Sequence, residues 1–174
     1  MTIRNIDELK SAIASGAIDT VVVGATDMQG RLQGKRIHGK FFVEDTLKNG
    51  TEGCNYLLAV DIDMNTVQGY DVSSWETGYG DMGMAPDLNT VRVLPWHEKT
   101  AFVTADLVDH HHHGIAVSPR QVLKKQLERL DKAGMVALCG TELEFIVFND
   151  TYEEAWNKRY NELRSEEHTS ELQS

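Results

Sequence analysis

The chain has 174 residues, and its 27 acidic and 17 basic side chains give a formal net charge of −10. Nucleic-acid-binding domains carry a surplus of Lys and Arg, so this balance argues against nucleic acid as a partner. No apolar run reaches the length of a membrane span, and the first residues lack the apolar core of a signal peptide. The two cysteines, Cys54 and Cys139, are far apart and have no metal-binding spacing. They predict reduced thiols in a cytoplasmic protein.

The N-terminal residues predict a short helix and then a β-hairpin. Asn5 is a suitable N-cap, and Glu8, three residues later, completes a capping box. Residues 18–23 are β-branched and predict a strand. Residues 27–30 have the composition of a turn, so residues 31–37 are expected to return as the second strand.

The middle of the chain predicts further helix and strand around a long irregular segment. Residues 41–48 predict a short helix, and the apolar residues 56–62 predict a strand. Residues 63–90 are rich in Gly, Asp, Ser and Asn and show little periodicity, as functional or disordered segments do. Two more strands are expected at 90–94 and 101–108.

Four consecutive histidines, at 110–113, invite a metal-site interpretation. Adjacent side chains do not easily reach one ion, and helical metal sites use the spacing i, i+4. The run lies between a predicted strand and Gly114. An exposed loop is therefore the prediction.

A second group of elements follows the histidines. Ser118 as N-cap and Pro119 at the first helical position predict a helix that ends at Gly134. The remaining elements are two strands and one helix, expected at 135–138, 142–148 and 152–163.

Glu142 and Glu144 are separated by one residue in the strand predicted at 142–148. Side chains at i and i+2 of a strand share a face, where two carboxylates repel each other unless a cation neutralises them. Oxygen ligands suit Mg²⁺ or Mn²⁺. The alternative is a solvated face of an edge strand, which a short motif does not exclude.

These elements indicate an α+β fold with two parts. Residues 1–110 form one predicted domain, and residues 115–163 form the start of a second domain whose remainder is absent. Residues 164–174 break the preceding pattern and match the translation of a common sequencing adapter. They are therefore expected to be an artefact and are left out of the fold prediction.

Residues 140–148 resemble the first metal-ligand strand of the glutamine synthetase family. Further matches follow the family's order at 26–36, 80–90, 94–96 and 117–123, and the resemblance extends over residues 5–163. It implies a β-grasp-like N-terminal domain followed by the first helix and strands of a truncated glutamine synthetase catalytic domain. It also implies a homo-oligomeric ring in the full-length protein.

The resemblance implies a ligase that uses ATP to phosphorylate the γ-carboxylate of glutamate, after which ammonia or an amine attacks the acyl phosphate. Glu142 would help to hold the metal ion at the nucleotide phosphates, and Glu144 the ion nearer glutamate. The other ligands of the family lie downstream, so the chain as given is expected to be inactive. A non-catalytic structural or regulatory protein of the same fold is the alternative.

The family also places an acidic residue from the N-terminal domain in the neighbouring subunit's active site, where it binds and deprotonates the nucleophile. This sequence departs from the family's usual sequence at that position. Two residues are candidates for the acid: Asp61, which follows a predicted strand, and Asp71. The sequence of residues 61–75 is more similar to the branch of γ-glutamyl amine and polyamine ligases. Asp61 is the preferred candidate and Asp71 its rival.

Overall fold

The computed structural model describes residues 2–73, 78–142 and 144–165. The chain divides into two compact units, Met1–Met135 and Val136–Ser174. Most of the tail expected to be an artefact, residues 166–174, lies outside the described residues, and so does Leu143 of the predicted metal-ligand strand.

The first unit contains six strands and several helices. The strands are β1 (Thr20–Thr26), β2 (Leu32–His38), β3 (Thr51–Cys54), β4 (Asp81–Pro86), β5 (Arg92–Val93) and β6 (Thr100–Val108). The helices are α1 (Ile6–Ala14), α2 (Gly39–Phe41), which continues through a π-helical turn (Phe42–Thr46) into α3 (Leu47–Asn49), and α4 (Pro119–Lys132). Two 3₁₀ turns lie at Asn55–Leu58 and Leu88–Thr90.

The strands form one mixed sheet in the order β2-β1-β6-β4-β3, with β5 paired to β6. β1 and β6 are parallel, and the other neighbouring pairs are antiparallel. This arrangement confirms the prediction that helices combine with a sheet.

Local sequence explains why α1 begins at Ile6. The Asn5 side chain accepts a hydrogen bond from the Glu8 amide at 2.9 Å, and the Glu8 carboxylate accepts from the Asn5 side chain at 3.0 Å and from the Arg4 amide at 2.9 Å. These bonds satisfy donors that a helix otherwise leaves unpaired at its N-terminus. The predicted cap is confirmed, and α1 buries Leu9 and Ala12.

The core of the first unit follows the two-residue period of the central strands. Val21 and Val23 of β1 are buried, whereas Thr20 and Val22 are partly exposed. Ala101 and Val103 of β6 pair with them in register and are also buried. Phe42, from the π-helical turn, is buried in the same core cluster. The predicted helix at 41–48 is confirmed as part of the helical segment that supplies this side chain.

Two predictions about the middle of the chain are wrong, and one strand was not predicted. The expected strand at 56–62 is instead the turn Asn55–Leu58 followed by an isolated bridge between Val60 and Thr66. A short apolar run fits a buried turn as well as a strand, because periodicity does not separate them. Residues 63–90, which were expected to be irregular, contain strand β4. Strand β3 was not predicted. β4 contains Gly and Pro, but it pairs with β3 and β6, and this tertiary pairing overrides weak local propensity.

Helix α4 is confirmed, and charged side chains hold it to the rest of the first unit. The Ser118 side chain accepts from the Gln121 amide at 3.3 Å. Arg120 donates to Asp106 of β6 at 2.8 Å and also pairs with Asp87, and Lys124 pairs with Asp106. The N-terminal half of α4 is thereby fixed against the sheet.

The second unit has one helix among its described residues, α5 (Tyr152–Asn157), which is shorter than the predicted 152–163. The expected strands at 135–138 and 142–148 are wrong for the described residues, which are irregular apart from an isolated bridge between Phe148 and Ser165. A strand is stable only when neighbouring backbone pairs with it. In the described part of this unit no second strand is available to these residues.

Candidate functional site

Glu142 and Glu144 lie on the irregular segment of the second unit, and both are exposed. The shared strand face that suggested a metal pair is therefore not formed in the described residues. Their carboxylates are hard oxygen donors, which fit Mg²⁺ or Mn²⁺ chemically, but an octahedral ion needs six ligands. Within residues 2–73, 78–142 and 144–165, no group of three or more His, Cys, Asp or Glu side chains is placed to hold an ion. The remaining ligands would have to come from outside the described residues.

Asp61 lies at the start of a tight loop that its own side chain stabilises. Its Oδ1 accepts hydrogen bonds from the amides of Asp63 and Asn65, each at 2.9 Å. The Asp61 amide donates back to the Asn65 carbonyl at 2.9 Å, and the Asn65 side chain reaches Oδ2 at 3.2 Å. Hydrogen bonds from Asn65, first its amide and then its side chain, lower the pKa of Asp61 below the ordinary value. The carboxylate is therefore ionised at neutral pH.

The hairpin turn between β1 and β2 holds the backbone that leads into this loop. Gln29 donates from Nε2 to the Val60 carbonyl at 2.7 Å. Arg31 donates from Nη2 to the Asp61 carbonyl at 3.0 Å and from Nη1 to the Ile62 carbonyl at 2.6 Å. Three successive carbonyls are thus held by two side chains. We call Asp27, Gln29 and Arg31 with these three carbonyls the turn clamp.

Asp27 is the buried centre of the turn clamp, with 2% of its surface exposed. Its Oδ2 accepts from Arg31 Nε at 2.8 Å and from the Gln33 side chain at 3.1 Å, while Oδ1 accepts from the Gln29 and Arg31 amides. Burial by itself raises the pKa of Asp27, but the hydrogen bonds from Gln33 and Arg31 outweigh burial and lower it. A buried carboxylate satisfied in this way fixes the guanidinium beside it.

Sequence reasoning predicted the turn at 27–30 correctly but missed the turn clamp. Gly30 has a φ of +80°, as the predicted turn requires. An Asp four residues before an Arg was a visible hint of an ion pair, and the pair is present. Nothing local in the sequence indicated that Arg31 would reach carbonyls about thirty residues away.

Asp71, the rival candidate acid, lies ten residues after Asp61 in the chain and is exposed. Asn55 holds the backbone near it: its side chain donates to the Val72 carbonyl at 2.9 Å and accepts from the Gly80 amide at 3.2 Å. Residues 74–77 lie outside the described residues. The backbone near Asp71 is therefore held by Asn55, whereas the backbone at Asp61 is held by the turn clamp.

The four histidines form an exposed loop, as predicted. Asp109 closes it by accepting from the amides of His111 and His113, each at 2.8 Å. These backbone bonds, led by the one from His113, lower the pKa of Asp109. The loop is therefore stabilised by hydrogen bonds between its own residues.

Comparison with known proteins finds related sequences over most of the chain. Residues 116–174 match the family model described as glutamine synthetase, catalytic domain. The chain is 56% identical over 158 residues to a gamma-glutamylethanolamide synthetase of Streptomyces coelicolor, covering 91% of this chain and 34% of that protein. It is 32% identical over 148 residues to a glutamate–isopropylamine ligase of a Pseudomonas species, covering 85% and 32%. The chain thus spans about a third of the length of the curated relatives it matches.

A similar fold is found among solved structures. A structure titled "Apo GmaS without ligand" matches with a TM-score of 0.57 and 20% identity, covering 74% of this chain and 27% of that chain. In the described part of the chain, no helix is both long enough and apolar enough to cross a membrane.

Proposed function

Because the chain belongs to the glutamine synthetase family, we propose that the full-length protein containing it is an ATP-dependent ligase that joins an amine to glutamate. The observation that carries this proposal is the 56% identity to a gamma-glutamylethanolamide synthetase over most of the chain. The second relative is named for isopropylamine. Both names specify an amine larger than ammonia, so the amine-ligase branch fits this sequence.

The proposed reaction has two steps that balance charge and atoms. An oxygen of the glutamate γ-carboxylate attacks the γ-phosphorus of ATP, and ADP leaves. The protonated amine first loses a proton, its nitrogen then attacks the acyl carbon of γ-glutamyl phosphate, inorganic phosphate leaves, and the nitrogen loses a second proton. Positioning and electrostatic stabilisation do most of the work in such a transfer.

Glu142 and Glu144 are the proposed metal ligands of this chain, Glu142 at the nucleotide phosphates and Glu144 nearer glutamate. Both are exposed carboxylates on one short segment, which supports the assignment by donor chemistry. A bound Mg²⁺ or Mn²⁺ ion would offset the repulsion between the triphosphate and the glutamate carboxylate. In the full-length protein these residues would belong to the catalytic domain that follows a β-grasp-like N-terminal domain.

Asp61 is the proposed acidic residue for the amine, acting in a neighbouring subunit of a ring. Its lowered pKa keeps the carboxylate ionised, which suits it to hold a protonated amine. Oδ1 is occupied by backbone amides, whereas Oδ2 has only the 3.2 Å contact from Asn65 among the described residues. Asp71, which is exposed, is the alternative.

The test is an assay of phosphate release by the full-length enzyme with ATP, glutamate and one amine at a time. We expect turnover with ethanolamine and with isopropylamine to exceed turnover with ammonia. Glu142→Gln and Glu144→Gln should each lower the rate at least a hundredfold, because each removes one charge from a metal ligand. Glu128→Gln, at an exposed position of α4, is the matched control and should leave the rate unchanged.

The proposal fails if phosphate release by the wild-type enzyme does not depend on any amine. A non-catalytic structural or regulatory role would then replace it. The 174-residue chain alone should show no activity in the same assay, because it spans only about a third of the length of the relatives.

A further inference from the structure

We infer that Arg31, fixed by the buried Asp27, is a positioning residue that sets the Asp61 loop for the amine. This inference rests on the proposed function, because it assigns a role at the same site. It adds a residue that does not itself touch the substrates. The turn clamp carries it.

The guanidinium of Arg31 serves two purposes through separate nitrogens. Nε donates to the Asp27 carboxylate at 2.8 Å, which fixes the plane of the group. The two terminal nitrogens donate to the carbonyls of Asp61 and Ile62 at 3.0 and 2.6 Å. Only a planar group with several fixed donors makes all three contacts, and a Lys ammonium does not reproduce this fork.

The turn clamp rests on a rigid base. Asp27 is buried, and both of its oxygens accept hydrogen bonds from the turn residues Gln29 and Arg31 or from Gln33 of β2. Gln29 adds the neighbouring contact to the Val60 carbonyl at 2.7 Å. The β1–β2 turn therefore holds the loop entrance in one place, although the two segments are about thirty residues apart.

The loop itself transmits that position to the carboxylate. Asp61 accepts from the amides of Asp63 and Asn65, so its Oδ1 moves with the loop backbone. A displacement of the Asp61 carbonyl therefore displaces the carboxylate. Small displacements of a group that holds a reactant are costly, because reaction requires a narrow range of geometry. Binding of ATP and glutamate, which the proposed function assigns to other residues, should be spared.

The first test is Arg31→Lys in the full-length enzyme, assayed for phosphate release. We expect KM for the amine to rise about tenfold, which is the size of effect expected when hydrogen bonds from a charged group are lost. KM for ATP and for glutamate should stay within about twofold, since a local shift at this loop leaves distant contacts intact. Arg36→Lys is the matched control, because Arg36 is an exposed residue of β2 whose side chain makes no hydrogen bond or ion pair with the described residues.

Gln29→Met is the second variant, chosen because it keeps the size of the side chain and removes one donor to the loop entrance. It should raise KM for the amine in the same direction by about threefold, the usual value of one neutral hydrogen bond. It decides the question if Arg31→Lys does not fold. An unchanged KM for the amine in the folded variants, or an equal rise in all three KM values, would overturn the inference.

Amide hydrogen exchange gives a readout that does not depend on activity. The amides of Asp63 and Asn65 should exchange several-fold faster in Arg31→Lys than in Arg36→Lys, because they lie in the loop that the turn clamp holds. Equal exchange rates would also overturn the inference. Failure of the proposed function looks different, since the wild-type enzyme would then lack amine-dependent phosphate release altogether.

Discussion

The two units differ in what they do with their large apolar side chains. In the first unit Phe42 is fully buried, and the alternating valines of β1 face the core. In the second unit Phe145 is 55% exposed, and its neighbours Ile146 and Val147 are exposed as well. Both segments are rich in apolar residues, but among the described residues only the first has partner elements within its own unit. An apolar pattern thus specifies a strand only where backbone and side chains are available to pair with it.

The largest effect that tests this comparison should come from the two phenylalanines. Phe42→Ala removes a fully buried ring and should lower the free energy of unfolding by about 3–5 kcal/mol. Phe145→Ala should change it by less than about 0.5 kcal/mol, because the ring is already exposed. Chemical denaturation of the chain, followed by circular dichroism, measures both. A comparable loss in Phe145→Ala would mean that the second unit is packed after all.

A smaller effect should come from the buried charge of Asp27 in the turn clamp. Asp27→Asn should lower the free energy of unfolding at pH 7 by about 2 kcal/mol, since it weakens charged hydrogen bonds at a buried site. The pKa of Asp27 is lowered in the folded chain, so its contribution is complete above the ordinary value of 3.8. It is lost as the pH falls from there through the lowered pKa.

Urea denaturation of wild type and Asp27→Asn at neutral pH and again near pH 3 checks this dependence. The difference between the two proteins should shrink at the lower pH. A difference that stays constant would show that the carboxylate charge is not what stabilises the turn. The exposed Asp63 gives a control substitution, Asp63→Asn, which should show little difference at either pH.

The smallest effect concerns two helix caps of the same kind, one in each unit. Asn5 caps α1, and Thr151 forms a capping box with Glu154 at α5. Asn5→Ala should cost about 1 kcal/mol and lower the Tm of the main transition. Thr151→Ala should weaken only α5 and leave that transition in place, because α5 buries only Ala155. Equal shifts of Tm in a thermal melt would contradict the separation of the two units.

Local signals in the sequence were sufficient for elements that depend on local physics. The cap at Asn5, the turn at Gly30 and the start of α4 at Ser118 follow from hydrogen bonds within a few residues, and each is confirmed. β4 was missed because its strand character comes from pairing with β3 and β6. The strand expected at 142–148 failed for the opposite reason, since its apolar residues have no pairing strand in the described part of their unit.

The candidate site divides in the same way. Glu142, Glu144 and Asp61 could be proposed from short motifs because their side-chain chemistry is visible in the sequence. The role of Arg31 could not, because it depends on contacts between segments about thirty residues apart. Asp61 was preferred for following a strand, and that premise is wrong, since a turn and an isolated bridge precede it. What supports Asp61 now is the ionised state of its carboxylate and the turn clamp beside it.

The parallel pairing of β1 with β6 has a consequence for synthesis on the ribosome. Thr20 pairs with Thr100, eighty residues later, whereas β2 follows β1 directly and can pair with it early. At ribosomal rates of synthesis, β6 is made about 4–16 s after β1, and until then the second edge of β1 has no partner strand. During that interval the nascent hairpin presents an unpaired backbone edge, the kind of surface that invites pairing with another chain.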